Sequence, residues 1–174
     1  MHSILELTNN SIPIINKTKK ENTCCFMGNI DTDKLKSDSS ILKDKLTVIL
    51  SELIEKGVSI FYSNGKYGIS MIGAEIIIEM KKKQNDLMLY LVVPYTDYEL
   101  KYDKKIRERY RRICNDADNA EILDNIYKGN DFMGTLYSEK LIMDKSNVVL
   151  IDKDKYGAVN YANKNGLRVI NIFE

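Results

Sequence analysis

The segment Val58-Ser59-Ile60-Phe61-Tyr62-Ser63-Asn64-Gly65-Lys66-Tyr67-Gly68-Ile69-Ser70 constrains the fold more than any other part of the chain. A β-branched and aromatic run gives way to a short glycine-containing turn. Ile69, Ile72, Gly73, Ile76, Ile77 and Met80 then recur at helical spacing. A strand that feeds a helix through small residues aims backbone N–H groups and the positive end of a helix dipole at one spot beyond the sheet. Parallel α/β proteins seat phosphate or another anionic group in this way. Gly65 and Gly68 let the backbone turn tightly and approach a ligand. Two glycines fall short of a dinucleotide fingerprint or a P-loop, so a plain strand-to-helix turn remains the other reading.

The same alternation runs along the chain. Strands are expected at 23–28, 58–63, 87–93, 120–123, 148–151 and 167–173, with helices between them at 38–56, 69–84, 99–118, 131–145 and 158–165. Residues 29–38 read as a polar loop, with Asp38 or Ser39 capping the first helix and Gly57 ending it. Strands alternating with helices imply a Rossmann-like three-layer α/β fold: a mostly parallel sheet of about six strands with helices on both faces. Ligands in such a sheet sit beyond the carboxyl ends of the strands, which singles out the loops 28–31, 64–68, 94–98, 124–130 and 152–156.

A chain of 174 residues without repeat or long linker suits one domain, placed at 23–174, with residues 1–22 as an N-terminal extension. Lys and Arg number 26 against 25 Asp and Glu, so no global field draws the protein to nucleic acid or an acidic membrane. The longest apolar runs are strand-length, which argues against a membrane span. The first residues lack a basic start and a sustained apolar region, so no secretory signal is expected and a cytoplasmic location is. Cys24, Cys25 and Cys114 form no CxxC and read as buried small hydrophobes, with no metal site implied. His2 is the only histidine, which leaves no Ser–His or Cys–His nucleophile pair in the core.

Five short motifs in order resemble the YpsA-like branch of the SLOG superfamily over residues 23–173. Phe26-Met27-Gly28 is similar to its aromatic–Thr–Gly turn, and Ser63-Asn64-Gly65-Lys66-Tyr67-Gly68 with Ala74-Glu75 to its Ser-Gly-Gly-x-x-Gly turn and helix. Val93-Pro94-Tyr95 is similar to its strand–Pro–aromatic corner, Asp144-Lys145-Ser146-Asn147 to the step before strand five, and Val159-Asn160-Tyr161-Ala162 to the helix entering strand six. Departures fall at the pocket. Asn29 and Ile30 replace polar and basic residues, Ser70 stands where an acid is usual, and Ser138-Glu139 replaces Arg-Asn. Lys153-Asp154-Lys155 replaces a Gly-Gly-Thr loop. The resemblance implies a nucleotide-derived ligand (ADP-ribose, NAD or a cyclic nucleotide signal) and, by analogy, a homodimer; the abundance of Lys, Asn and Ile fits an AT-rich bacterial or phage genome.

The reading that combines residues and resemblance is a protein that binds such a ligand as a sensor, carrier or sequestering agent. Phosphate would lie on the 64–70 turn, at Asn64, Gly65, Lys66, Gly68 and Ser70, helped by Lys153 and by the Gly28 turn. The base would stack near Pro94, Tyr95 or Tyr98, while Glu139 and Asn29 read sugar hydroxyls. Tyr127 and Tyr137 lie near the same loops. One alternative is an N-glycoside hydrolase, with Glu139 as its weak catalytic candidate beside Glu75 and Asp152; Glu75 is expected to face solvent. Another is an interaction module that kept the fold without the pocket. The basic segment carrying Lys104, Lys105, Arg107, Arg109, Arg111 and Arg112 reads as a solvated helix face, and nucleic-acid contact is not expected.

Overall fold

A computed structural model describes residues 22–28, 32–123, 127–153 and 157–174. The order of elements is β1 (Thr23–Met27), α1 (Thr32–Glu55), β2 (Ile60–Ser63), α2 (Ile69–Lys81) and β3 (Met88–Val93). A 3-10 turn (Tyr98–Lys101), α3 (Lys104–Asp116), β4 (Asn119–Ile122), α4 (Asp131–Asp144), β5 (Val148–Ile151), α5 (Ala158–Lys164) and β6 (Arg168–Asn171) follow. The six strands form one sheet in the order β4-β3-β2-β1-β5-β6, every pair parallel. Three successive crossovers step one way from β1, and the fourth returns to its other side. The order therefore reverses between β1 and β5, where Phe26 pairs with Leu150 and Met27 with Ile151.

Successive strand residues point to opposite faces, and the apolar residues divide accordingly. Cys24, Phe26, Leu89, Leu91, Val148 and Leu150 pack under Leu42, Leu46 and Leu50 of α1, Ile72, Ile76 and Ile77 of α2, and Tyr110 and Ile113 of α3. Cys25, Met27, Val92, Val149 and Ile151 face Leu136, Ile142 and Met143 of α4 and Ala158, Tyr161 and Ala162 of α5. This is the three-layer α/β architecture expected from the alternation of strands and helices. Among the described residues, no helix is long and apolar enough to cross a membrane. Cys24 and Cys25 are buried and all three cysteines are free thiols.

Two elements differ from expectation. α1 starts at Thr32 rather than near Asp38. The run Asp33-Lys34-Leu35-Lys36-Ser37-Asp38 carries one apolar residue, so periodicity could not mark it as helix. The segment expected as one helix over 99–118 is broken. Tyr102 is extended, and Asp103 caps α3 by accepting the Ile106 N–H at 3.0 Å. Charged residues over 99–108 hid that break, because a cap acts through one side chain and leaves the average pattern unchanged.

α2 crosses β1 at close range. A Cβ on Gly73 would lie 2.4 Å from the Phe26 ring. In an open helix, Gly→Ala gains up to about 1 kcal/mol. Here the added methyl overpacks a buried aromatic, a change that costs about 1–3 kcal/mol. Gly73→Ala is therefore expected to lower the melting temperature by about 2–12 °C in thermal denaturation. An unchanged or higher melting temperature would show that α2 does not lie this close to the sheet.

Candidate functional site

The turn between β2 and α2 is held by its own side chains. Ser63 Oγ accepts the Gly65 N–H at 3.0 Å and donates to the Ser70 carbonyl at 2.9 Å. Asn64 Oδ1 accepts the Lys66 N–H at 3.1 Å, and the Tyr102 hydroxyl accepts the Tyr67 N–H at 3.2 Å. Ser70 Oγ donates to the Phe26 carbonyl at 3.1 Å, tying the start of α2 to β1. Gly65 has φ +70°, and its Cα faces the Tyr110 ring so closely that a Cβ would lie 2.6 Å from it. The sequence placed an anion on these backbone amides, but those of Gly65, Lys66 and Tyr67 already donate to the protein's own oxygens. Gly68, at φ +123°, has open space where a Cβ would be and precedes a helix that no side chain caps.

The turn faces α4 across a cleft of about 220 Å³ lined by Lys66, Lys101, Asp131, Phe132, Thr135, Leu136 and Glu139. Asn64 Nδ2 donates to Ser138 Oγ at 3.1 Å and so joins the two walls at their base. Above it, the Lys66 ammonium lies 3.3 Å from Glu139 Oε1. At the mouth, the Lys101 ammonium donates to Asp131 Oδ1 at 2.7 Å, and the Tyr95 hydroxyl donates to the same oxygen at 2.8 Å. Two cations from the sheet side thus meet two carboxylates from α4.

Of the residues the sequence nominated, Lys66 and Glu139 line this cleft and Tyr95 supports its mouth. Tyr98 has no exposed surface. Its ring packs against Tyr95, Tyr102 and Tyr110, and the Lys101 ammonium sits 3.6 Å from its centroid. Pro94 is buried at the end of β3. Gly28 lies at the switch between β1 and β5, where a Cβ would come within 2.3 Å of Ile69 and 2.4 Å of the Asp152 carboxylate. Gly28 is therefore packed tightly against the start of α2 and against Asp152. Lys153 is exposed and does not line the cleft. Asn29 lies outside the described residues.

Glu75 was expected to face solvent; it accepts two hydrogen bonds from Arg109, both 2.7 Å, and fastens α2 to α3. Lys101, Asp131, Phe132, Thr135 and Leu136 were not foreseen. Their signal was present in the spacing Asp131-Thr135-Glu139 and Phe132-Leu136, two adjacent i, i+4 stripes on one helix face.

Glu139 is 4 % exposed, and burial lifts its carboxyl above the ordinary range. Lys66 opposes the shift, Asp152 adds to it and Lys101 opposes it again. Burial also lowers the Lys101 ammonium, against the pull of Asp131. A carboxyl raised on folding binds a proton more tightly in the native state. Its contribution is fully present below the unfolded value and is lost as pH rises through the folded one. Glu139→Gln removes that loss. Its melting temperature relative to the unaltered protein is expected to increase from pH 4 to pH 8 in thermal melts, and a difference that does not vary with pH would contradict the assignment.

Comparison with known proteins agrees with this architecture. A model described as the YspA SLOG family matches residues 29–169. A UPF0398 protein of Halalkalibacterium halodurans is 30% identical over 111 residues, covering 63% of this chain and 58% of that protein. One from Brevibacillus brevis is 25% identical over 128 residues, covering 72% and 67%. Another, from Staphylococcus epidermidis, is 23% identical over 116 residues, covering 65% and 60%. The chain thus spans 58–67% of the length of these curated relatives. With the family match running from before α1 into β6, on a parallel sheet of the expected kind, the chain belongs to the YspA SLOG family.

Proposed function

We propose that the chain binds a nucleotide-derived small molecule in the cleft between the β2–α2 turn and α4. The observation that carries this reading is the pairing of Lys66 with Glu139 and Lys101 with Asp131 across a cleft at the carboxyl edge of a parallel sheet. Each pair can exchange partners on binding. An anionic ligand group replaces the carboxylate at an ammonium, and sugar hydroxyls donate to the carboxylate so released. The anion is then held by side-chain ammonium groups, with the uncapped start of α2 adding its dipole. Family membership supports a nucleotide-related ligand, of which ADP-ribose, NAD and cyclic nucleotides are the candidates.

The volume limits what is enclosed. Pockets that swallow a whole drug-sized ligand run to roughly 300–1,000 Å³. The 220 Å³ here is smaller, so the cleft can hold only part of an ADP-ribose or NAD, and the remainder would extend past the mouth. The role that fits is sensing, carrying or sequestering the ligand.

A second reading, cleavage of the N-glycosidic bond, is favoured by one observation. Glu139 is a buried carboxyl at the cleft whose proton affinity burial raises, a shift in the direction a proton-transferring carboxyl needs. Under this reading Glu139→Gln stops release of free base from a nucleotide while binding persists.

Thermal shift and calorimetry with ADP-ribose, NAD, AMP and cyclic AMP test the binding reading. At least one of these is expected to raise the melting temperature, with about 2.7 kcal/mol of stabilisation at a hundredfold excess over Kd. Lys66→Ala is expected to weaken that response at least tenfold. A flat response to every nucleotide would favour the module without a working pocket.

A further inference from the structure

Resting on the reading of the cleft as a nucleotide site, we infer that the ligand lies in one direction, with its phosphate on Lys101 at the mouth and its ribose hydroxyls on the deeper Lys66–Glu139 pair. The two ion pairs use the same groups in different surroundings. The Asp131 side chain keeps 53% of its surface open to water, whereas that of Glu139 keeps 5%. Asp131 also accepts the Tyr95 hydroxyl at 2.8 Å and stands in the first turn of α4, where the helix dipole favours a negative charge. Among the described residues, Lys66 supplies the hydrogen bond to Glu139.

These differences decide which ammonium can change partner at small cost. When an anion draws the Lys101 ammonium, Asp131 keeps the tyrosine hydroxyl, the helix end and water. Lys101 itself is held 3.6 Å from the centroid of the Tyr98 ring, so its charge stays at the mouth whichever anion it meets. An anion on Lys66 would leave Glu139 buried without its donor, or oblige it to take up a proton, and Asp152 already adds repulsion there. Removing one partner of a buried pair is strongly destabilising, while opening an exposed pair costs little. The inner pair therefore stays closed and the outer one opens.

A closed inner pair still recognises a polyol. Lys66 meets Glu139 through Oε1, and Oε2 can accept from a ligand hydroxyl. Thr135 lines the cleft one helical turn away and adds a hydroxyl of its own. Lys101 is near enough for the charges of both Lys66 and Glu139 to act on it, so one small ligand can touch both ends. The direction names a class, a ribose with its 2′- and 3′-hydroxyls free and a phosphate at its 5′ position. A 5′-ribonucleotide has both features. A 3′,5′-cyclic nucleotide ties its 3′-oxygen into the phosphate ring and offers Glu139 one donor fewer.

The test is calorimetry with AMP, with adenosine, which lacks only the phosphate, and with 2′,3′-dideoxy-AMP, which lacks only the two hydroxyls. AMP should bind the unaltered protein at least about tenfold tighter than either, the worth of one charge-assisted hydrogen bond. Lys101→Met keeps an unbranched side chain over the Tyr98 ring. It should abolish the advantage of AMP over adenosine and leave its advantage over dideoxy-AMP. Lys66→Met should weaken AMP and adenosine together, so that the phosphate keeps its advantage. Glu139→Gln should reduce the advantage over dideoxy-AMP at least about threefold, since an amide nitrogen cannot accept from a hydroxyl. If the phosphate's advantage survives in Lys101→Met or vanishes in Lys66→Met, the direction is overturned while the nucleotide reading stands. Absence of AMP binding to the unaltered protein overturns both.

Discussion

The site depends on one buried carboxamide. Asn64 sits at the carboxyl end of β2 with no exposed surface, and its two ends do different work. The carbonyl oxygen accepts the Lys66 N–H and shapes the turn, and the amide nitrogen donates to Ser138 on α4. A buried amide left unpaired costs more than a hydrogen bond returns, so the turn and the helix are held together by the need to satisfy it. Lys66 stands two residues beyond Asn64 and Glu139 one beyond Ser138, and their ion pair follows from that registration. Ser63 and Ser70 extend the same polar seam back to β1 through the Phe26 carbonyl. The short side chains permitting this seam are also what allow α2 to lie against the sheet.

Charge placement in the cleft works against stability and, under the proposed reading, toward binding. Glu139 loses its water on folding, and the Lys66 ammonium at 3.3 Å offsets only part of that cost, since its carboxyl remains raised. Asp152, buried at the end of β5, adds repulsion. A core optimised for stability alone would fill this corner with apolar side chains. Groups held in an unfavourable state gain more from a ligand that supplies the missing partner, and such clusters mark functional positions. The tyrosine cluster behind it supplies rigidity: Tyr95, Tyr98, Tyr102 and Tyr110 pack ring to ring and leave Lys101 one direction in which to point, over the Tyr98 ring toward Asp131.

Architecture was legible because it is carried by period and punctuation. The apolar runs of β1, β3 and β5 and the 3.6-residue stripe of α2 fixed the order of layers, and the five motifs pointed to the family. Cleft-lining residues were legible only where the argument did not need a neighbour. Lys66 could be placed from its turn and Glu139 from its departure at the pocket. Lys101 and Asp131 could not, since their pairing spans thirty residues and depends on the break at Tyr102 and Asp103. The tyrosines show the converse. Tyr95 and Tyr98 lie in a ligand-side loop, but the loop folds inward because Tyr98 finds Thr135 for its hydroxyl and other rings for its faces. The turn amides show the same limit: Ser63, Asn64 and Tyr102 accept the hydrogen bonds of the Gly65, Lys66 and Tyr67 N–H groups, which the sequence alone does not reveal.

The central claim is that the space between the β2–α2 turn and α4 is where this protein meets its ligand. Chemical-shift mapping of the ¹⁵N-labelled protein during titration with AMP tests it most directly. The account predicts that the amides of Lys66, Gly68, Thr135 and Glu139 move first and saturate together. Shifts confined to α1 or to α5 and β6, with these four amides still, would contradict it.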